Sequence, residues 1–438
     1  MAVKIGGRIK GVINRDKKVI FTTTREIFPF VVDHGDGDYI YDIGGNRFVD
    51  FSSFVSVYTL GVNANKQIRA AAKKQTDKLT HAMFMDYYAE PPVVFAEKLI
   101  KMFPQGFGRV FFSNSGTEAN EDAIKLAKLF TKRSHLIAFY GAFHGRSLGS
   151  LGLTASRTVQ RAHFGPFTNV SHAPFPNPYR CPFHNEDPDE CSKESLDYIE
   201  RNILGREVPP EEVAAIFFEP IQGEGGYVVP PRNFFKGLRE LADKHGILLV
   251  DDEIQAGYMR TGKFLTLDNF GVDADIYTMA KSIGGGFPLG ATVARRSLGD
   301  TPEGSHAGTF GGNLVAIAAA NASLDYVRKN MRSLQAQAVS KGGRIMRRLN
   351  EMKESYEIVG DVRGIGMMIG MELVKSKDSK EYAIKERDKV IMDCFNQGLI
   401  LLPAGKSAIR VIPPITISIA NLEKGLDIIE EAVKASSK

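Results

Sequence analysis

At 438 residues, with 43% hydrophobic and 24% charged residues and a formal net charge of +5, the chain has the balance of a soluble globular protein. It is too long for one core, so two or three domains are expected. The small charge and the mixing of basic residues with acids, as in Ser376–Arg387, exclude a nucleic-acid patch, and no apolar stretch of ~18 residues offers a membrane span.

Three cysteines, Cys181, Cys191 and Cys394, form an odd, sparse set that fits a reducing compartment better than a disulfide framework. Met1–Lys10 lacks the apolar core of a signal peptide, and a cytoplasmic location is expected. Cys181-Pro-Phe-His184 with Cys191 lacks the spacing of a zinc site, so this segment reads as a surface loop and no metal is expected.

Residues 38–60 predict two short strands around Gly44-Gly45-Asn46. Residues 65–82 and 88–103 carry helical periodicity. From about 108 to 300 short apolar runs alternate with helices: Arg109–Ser113, Leu136–Tyr140, Ala214–Glu219, Gly246–Asp251, Ile276–Met279 and Ala291–Ala294. Strands apolar throughout imply a sheet covered on both faces, hence a mostly parallel α/β domain. Residues 155–210 read as a loop-rich excursion. A long helical region starts near Leu314, and the last hundred or so residues predict a small α+β domain with strands at Gly366–Leu373, Leu399–Leu402 and Ala408–Ile412. The resulting division is an N-terminal segment 1–64 joining the small domain, a large domain 65–325 and a C-terminal small domain 326–438.

Several strand ends carry reactive groups. Ile276–Met279 delivers Lys281 just before Gly284-Gly285-Gly286, a site where burial would lower an amine's pKa toward what Schiff-base chemistry needs. Ser115-Gly116-Thr117 opens an amphipathic helix after Phe111-Phe112-Ser113, and serves equally as an anion cradle or a plain N-cap. Asp251-Asp252-Glu253 sits at the carboxyl end of a buried strand, where ligands of open α/β sheets collect. Phe143-His144-Gly145-Arg146 follows another strand, offering an aromatic face and a guanidinium. Glu219 and Glu224 lie after a third, Arg410 precedes Ile412-Pro413-Pro414, and Thr309 lies in a glycine-rich loop. Gly257–Phe264 nearly spells a P-loop but ends in Phe where magnesium needs Ser or Thr, so it reads as a loop packed near the site.

In this order and spacing the motifs resemble class III aminotransferases, the pyridoxal-phosphate enzymes of aspartate-aminotransferase fold (fold type I) that include ornithine and 4-aminobutyrate aminotransferases. The resemblance runs from about residue 35 to the C-terminus. It rests on Ser115–Asn120, the Phe143–Gly145 turn, Glu219-Pro-Ile-Gln-Gly-Glu224, Asp252-Glu-Ile-Gln255, Lys281 and Thr309–Asn313. It implies pyridoxal 5'-phosphate on Lys281, which also moves the substrate proton. It implies that Asp252 keeps the pyridine nitrogen protonated, Gln255 bonds the phenolic oxygen and Phe143 stacks on the ring. Gly116 and Thr117 would hold the phosphate beside Ser115, with His144 and Glu219 also in the cofactor site. Arg410 would bind a substrate carboxylate, Glu224 neutralise it when the donor has no α-carboxylate, and Arg146 take a distal carboxylate; Val55 lines the substrate site. Thr309 would reach the neighbouring subunit's cofactor, which implies a homodimer.

The resemblance further implies an ω-amino acid such as 4-aminobutyrate as donor and 2-oxoglutarate as acceptor. An amino acid racemase or epimerase on the same scaffold is the alternative, sharing Lys281 and Asp252 and differing in where the proton returns; Arg146 and Glu224 favour transfer. A silent cofactor-binding module would leave the full set of catalytic groups without use. The sequence departs from the family at Phe54, Val62 and Ala256, where many members have Gly, His and Thr, and Phe54 bears on pocket size.

Overall fold

The six apolar runs all become strands of one sheet, joined there by a seventh, Val170–Ala173, in the computed structural model, which describes residues 3–23, 28–62, 66–167 and 169–437. In chain order these are β1 (Phe107–Ser113), β2 (His135–Phe139), β3 (Val170–Ala173), β4 (Val213–Phe218), β5 (Leu248–Asp252), β6 (Ile276–Met279) and β7 (Gly290–Arg295), and they lie side by side as β1-β7-β6-β5-β4-β2-β3. Strands β2 to β6 pair in parallel, and β7 runs antiparallel to both β1 and β6. The loops after β1, β2, β4, β5 and β6 therefore all leave from the same edge.

Every residue of β4 and of β6 is buried, which is why neither strand alternates. Helix α1 (Gly116–Thr131) supplies one cover, its Ala123, Ile124 and Ala127 sharing a cluster with Ala138, Phe217 and Val250. Helix α2 (Phe234–His245) packs Phe235 against Phe218 at 4.9 Å between ring centres, and stops at Gly246, whose φ of 62° closes the left-handed C-cap. Full burial of a side chain such as Phe217 contributes about 2–3 kcal/mol, so Phe217→Ala would weaken this layer most directly.

The chain divides into two compact units, Asn65–Ala336 and Met1–Ala64 with Gln337–Lys438. Residues 64 and 65, where the first expected boundary falls, lie outside the described residues. The second division falls at Ala336 rather than at 325, because helix α3 (Leu314–Ser355) runs unbroken through both positions and no turn marks either.

The unit formed by the two chain ends holds two four-stranded sheets. The first pairs Val32–Asp36, Tyr39–Asp42 and Arg47–Asp50 in antiparallel fashion and adds Leu399–Ile400 in parallel. The second joins Val359–Ile365, Met368–Leu373, Ala408–Val411 and Leu402–Ala404, all antiparallel. Its strand Val359–Ile365 was not foreseen, since Gly360, Asp361, Arg363 and Gly364 break the apolar pattern.

Two expectations are corrected. Residues 155–210 are not only loop: they contain the edge strand β3, a helix at Pro188–Tyr198 capped by Asp187, and a π-helical stretch at Ile199–Glu207. Cys181 and Cys191 are joined as a disulfide with Cα atoms 6.0 Å apart, so they are not the reduced thiols that the cysteine count suggested. Cys394 stays free and buried, and burial pushes its thiol well above the usual range. No helix among the described residues is long and apolar enough to cross a membrane, and no group of three or more His, Cys, Asp and Glu side chains among them could hold a metal.

Candidate active site

The shared edge of the parallel strands gathers most of the singled-out residues of the Asn65–Ala336 unit. At the start of α1, Ser115 is the N-cap, its hydroxyl accepting the Glu118 N–H at 3.3 Å. Thr117 Oγ1 accepts the backbone N–H groups of Arg146 (3.2 Å) and Ser147 (3.1 Å) and lies 2.6 Å from Ser150 Oγ. The helix start and the turn after β2 are thus tied together through one hydroxyl. The turn comes this close because residue 145 is glycine: its φ is 139°, and a Cβ there would stand 2.3 Å from Thr117 Oγ1.

Of the three acids ending β5, alternation sends Asp252 one way and its neighbours the other. Asp252 Oδ2 meets His144 Nδ1 and Asn120 Nδ2, both at 2.8 Å, while Oδ1 accepts the Ile254 N–H at 3.1 Å. An ionised carboxylate only accepts, so His144 donates from Nδ1. Asn120 also donates to the His144 carbonyl at 2.7 Å and accepts from Thr278 Oγ1 at 2.9 Å. Asp251 and Glu253 are buried on the opposite side. Burial and mutual repulsion push Asp251 well above the carboxylate range, and burial pushes Glu253 up to about 8.

Glu219 bridges two loops: Oε1 accepts the Phe143 N–H and Oε2 the Gly223 N–H, each at 2.9 Å. Burial raises its pKa to about 7, against the pull of His144 and the two amides. The Tyr227 hydroxyl donates to Gln255 Oε1 at 2.9 Å, which leaves the Gln255 NH2 as that side chain's donor. Lys281 is half-buried at the end of β6, and its φ of 52° swings the chain into the turn containing Gly285 (φ 58°) and Gly286 (φ 98°).

The Arg146 guanidinium carbon stands 5.0 Å from the centre of the Phe143 ring. Glu224 lies 4.0 Å from Arg157, a guanidinium that the sequence did not single out. Thr309 is exposed, and the preceding His306 contacts Asp122 of α1 at 2.5 Å.

Arg410 and Val55 belong to the other unit. Arg410 is buried on the strand Ala408–Val411, donating from Nε to the Pro403 carbonyl at 2.9 Å. Val55 sits in a run of four non-glycine residues with positive φ, from Ser53 (42°) through Phe54 (47°) and Val55 (58°) to Ser56 (66°). A β-branched residue there is strained by roughly 1–3 kcal/mol. The turn is held by Asp50 Oδ1, which accepts from Ser52 N, Ser52 Oγ and Ser53 N, and by Ser53 Oγ, which donates to the Ile412 carbonyl. No glycine announces this turn.

Asn120, Thr278, Tyr227 and Arg157 were missed as site residues. Asn120 closes the Ser115–Asn120 motif, and that position was the available signal.

A doubly covered sheet with a lysine at the end of one strand, a carboxylate at the end of the next and a helix start beside them defines a pyridoxal-phosphate enzyme of fold type I. The described groups fit the cofactor: a helix N-terminus for phosphate, a desolvated acid with one oxygen outside the Asn120–His144 pair, an amine, and an aromatic face. The chain belongs to the class III aminotransferase family, whose description "Aminotransferase class-III" matches residues 20–433. It is 38% identical to a leucine/methionine racemase of Thermococcus litoralis over 97% of this chain and 96% of that one. It is 36% identical to a 5-aminovalerate aminotransferase of Pseudomonas aeruginosa over 93% of this chain and 94% of that one. Among solved structures, a taurine:2-oxoglutarate aminotransferase of Bifidobacterium kashiwanohense superposes with a TM-score of 0.90 at 26% identity, covering 97% of each chain; it holds pyridoxal phosphate and glutamate. Pyridoxal 5'-phosphate is the cofactor of this family and of this chain.

Proposed function

We propose that the chain moves the amino group of an ω-amino acid of the 4-aminobutyrate kind to 2-oxoglutarate. The observation that carries the reading is Arg146, a cation suited to a carboxylate, standing beside the Phe143 ring. When bound, pyridoxal phosphate supplies a carbonyl that amines condense with and a ring that stores the electron pair left at the substrate carbon. The chain's own groups do the rest. The α1 start binds the phosphate at Gly116 and Thr117, with Ser115 shaping the turn. Phe143 covers the ring face, and Glu219 and His144 hold that turn and the acid in place. Asp252 keeps a proton on the ring nitrogen, Gln255 donates its NH2 to the phenolic oxygen, and Lys281 Nζ anchors the cofactor and then shuttles the proton at the substrate carbon.

Arg146 orients the donor's distal carboxylate and so places its amine. Arg410 takes the α-carboxylate of 2-oxoglutarate, Glu224 neutralises Arg410 when the donor has none, and Val55 lines the substrate site. The exposed Thr309 is assigned to the cofactor site of a second copy, making the enzyme a homodimer. A cytoplasmic location belongs to the same reading, with Cys181–Cys191 as a bond unusual for that compartment.

The Thermococcus litoralis relative supports a second reading, racemisation, in which the proton returns to the same substrate carbon on the opposite face. Incubating the loaded enzyme with 4-aminobutyrate, with and without 2-oxoglutarate, separates the two. Glutamate formed only with the keto acid is the expected result. Inversion of a single-enantiomer amino acid without keto acid, and no glutamate with it, would overturn the proposal.

A further inference from the structure

We infer that Asn120 is a positioning residue for Asp252, held in its working orientation by the Thr278 hydroxyl. Asn120 is fully buried, and its carboxamide is committed on three sides: both N–H bonds go to Asp252 Oδ2 and the His144 carbonyl, and its oxygen accepts from Thr278. A flipped amide would set its oxygen against two acceptors, Asp252 Oδ2 and the His144 carbonyl, so the network admits one orientation, in which the Thr278 hydroxyl donates to the carboxamide oxygen. Thr278 can enforce this because β5 and β6 pair with Asp252 opposite Thr278. The motif at the α1 start and the strand that delivers Lys281 therefore meet on one carboxylate.

His144 cannot fix the acid alone. Among the described residues its buried Nε2 meets no hydrogen-bond partner, so the hydrogen bond that orients the imidazole is the one from Nδ1 to Asp252. Asn120 and His144 both bond Oδ2, which resists rotation of the carboxylate, while Oδ1 accepts the Ile254 N–H. Without the Thr278 hydroxyl, Asn120 loses its lock and Asp252 its fixed aim.

The inference rests on the reading of Asp252 as the partner of the ring nitrogen. Its test uses the full-length protein reconstituted with pyridoxal phosphate labelled with 15N in the ring. Two quantities are read: cofactor affinity, by titrating the apoprotein, and the pH at which the ring nitrogen loses its proton, by NMR. Asn120→Ala and Thr278→Val should each weaken affinity on the order of tenfold and lower that pH. Thr278→Ser, which keeps the hydroxyl, should behave as wild type, and so should Thr292→Val, which removes a buried hydroxyl bonded to the Ala119 carbonyl in the same sheet. Wild-type behaviour of Thr278→Val, or an equal change in Thr292→Val, overturns the inference, and Thr278→Val decides the matter if Asn120→Ala does not fold. Asp252→Asn separates the levels: if it leaves the ring-nitrogen titration unchanged, the Asp252 reading itself fails. If it moves the titration while Thr278→Val does not, only the role given to Asn120 and Thr278 fails.

Discussion

Glu219 and Phe143 are joined by a bond from the Phe143 backbone N–H to Glu219 Oε1, while the other carboxylate oxygen takes the Gly223 N–H. One buried side chain therefore sets the spacing between the aromatic turn after β2 and the loop that carries Glu224. Both amides want the ionised form, yet burial raises the pKa to about 7 from 4.5. The folded protein then binds this proton more tightly than the unfolded chain. Stability from this group is fully present below pH ~4.5, falls as pH rises toward 7, and is constant above, a loss of about 3 kcal/mol at most. Glu219→Gln should remove that part of the pH dependence of denaturant unfolding between pH 5 and 8. A slope identical to wild type would mean that Glu219 titrates normally.

Lys281→Ala tests the covalent anchor. Borohydride treatment of the loaded wild type should fix the mass of the cofactor on the chain, and the variant should gain none while losing at least ~10²–10⁴-fold in turnover. A variant that still acquires the mass would point to a different amine.

Arg146→Gln removes a guanidinium and keeps a neutral donor. A charge-assisted, bidentate contact to a carboxylate is worth about 2–3 kcal/mol, so kcat/KM for 4-aminobutyrate should fall on the order of a hundredfold, and that for amines lacking a distal carboxylate much less. Equal losses for both substrate types would show that Arg146 is not the clamp.

The Cys181–Cys191 bond closes a short loop leading into the helix Pro188–Tyr198. Constraining a loop of this length contributes about 2–3 kcal/mol through the unfolded chain. Cys181→Ser should lower stability by that amount under oxidising conditions and by nothing under strong reduction, as read from unfolding midpoints with and without reductant. Equal stability in the oxidised state would mean that the pair does not form in solution.

Much of the site was legible because each piece is local. A strand, a small polar turn and a helix start can be read within a dozen or so residues, so Ser115–Thr117, Phe143–Gly145, Asp252 and Lys281 stood out. The lock on Asn120 did not, because Thr278 arrives 158 residues later in the chain. The left-handed turn at Ser53–Ser56 was hidden for a related reason: its strain is offset by Asp50 and by the Ile412 carbonyl rather than relieved by a glycine. Residues 155–210 misled because Pro and Asn density hides the short edge strand β3, which is made by pairing with β2 rather than by its own pattern.

The chain by itself determined the doubly covered sheet, since strands without a polar face must be buried on both sides. It also determined the chemistry available at the strand ends, since side-chain type is written residue by residue. Only the tertiary structure decided which groups share atoms: that Asp252 turns toward Asn120 and His144 while Asp251 and Glu253 turn away, that Glu219 joins two loops, and that Cys181 meets Cys191. These depend on register between strands and on loops closing over long separations. Such pairings are set by the free energy of the whole fold, and no local window of residues contains it.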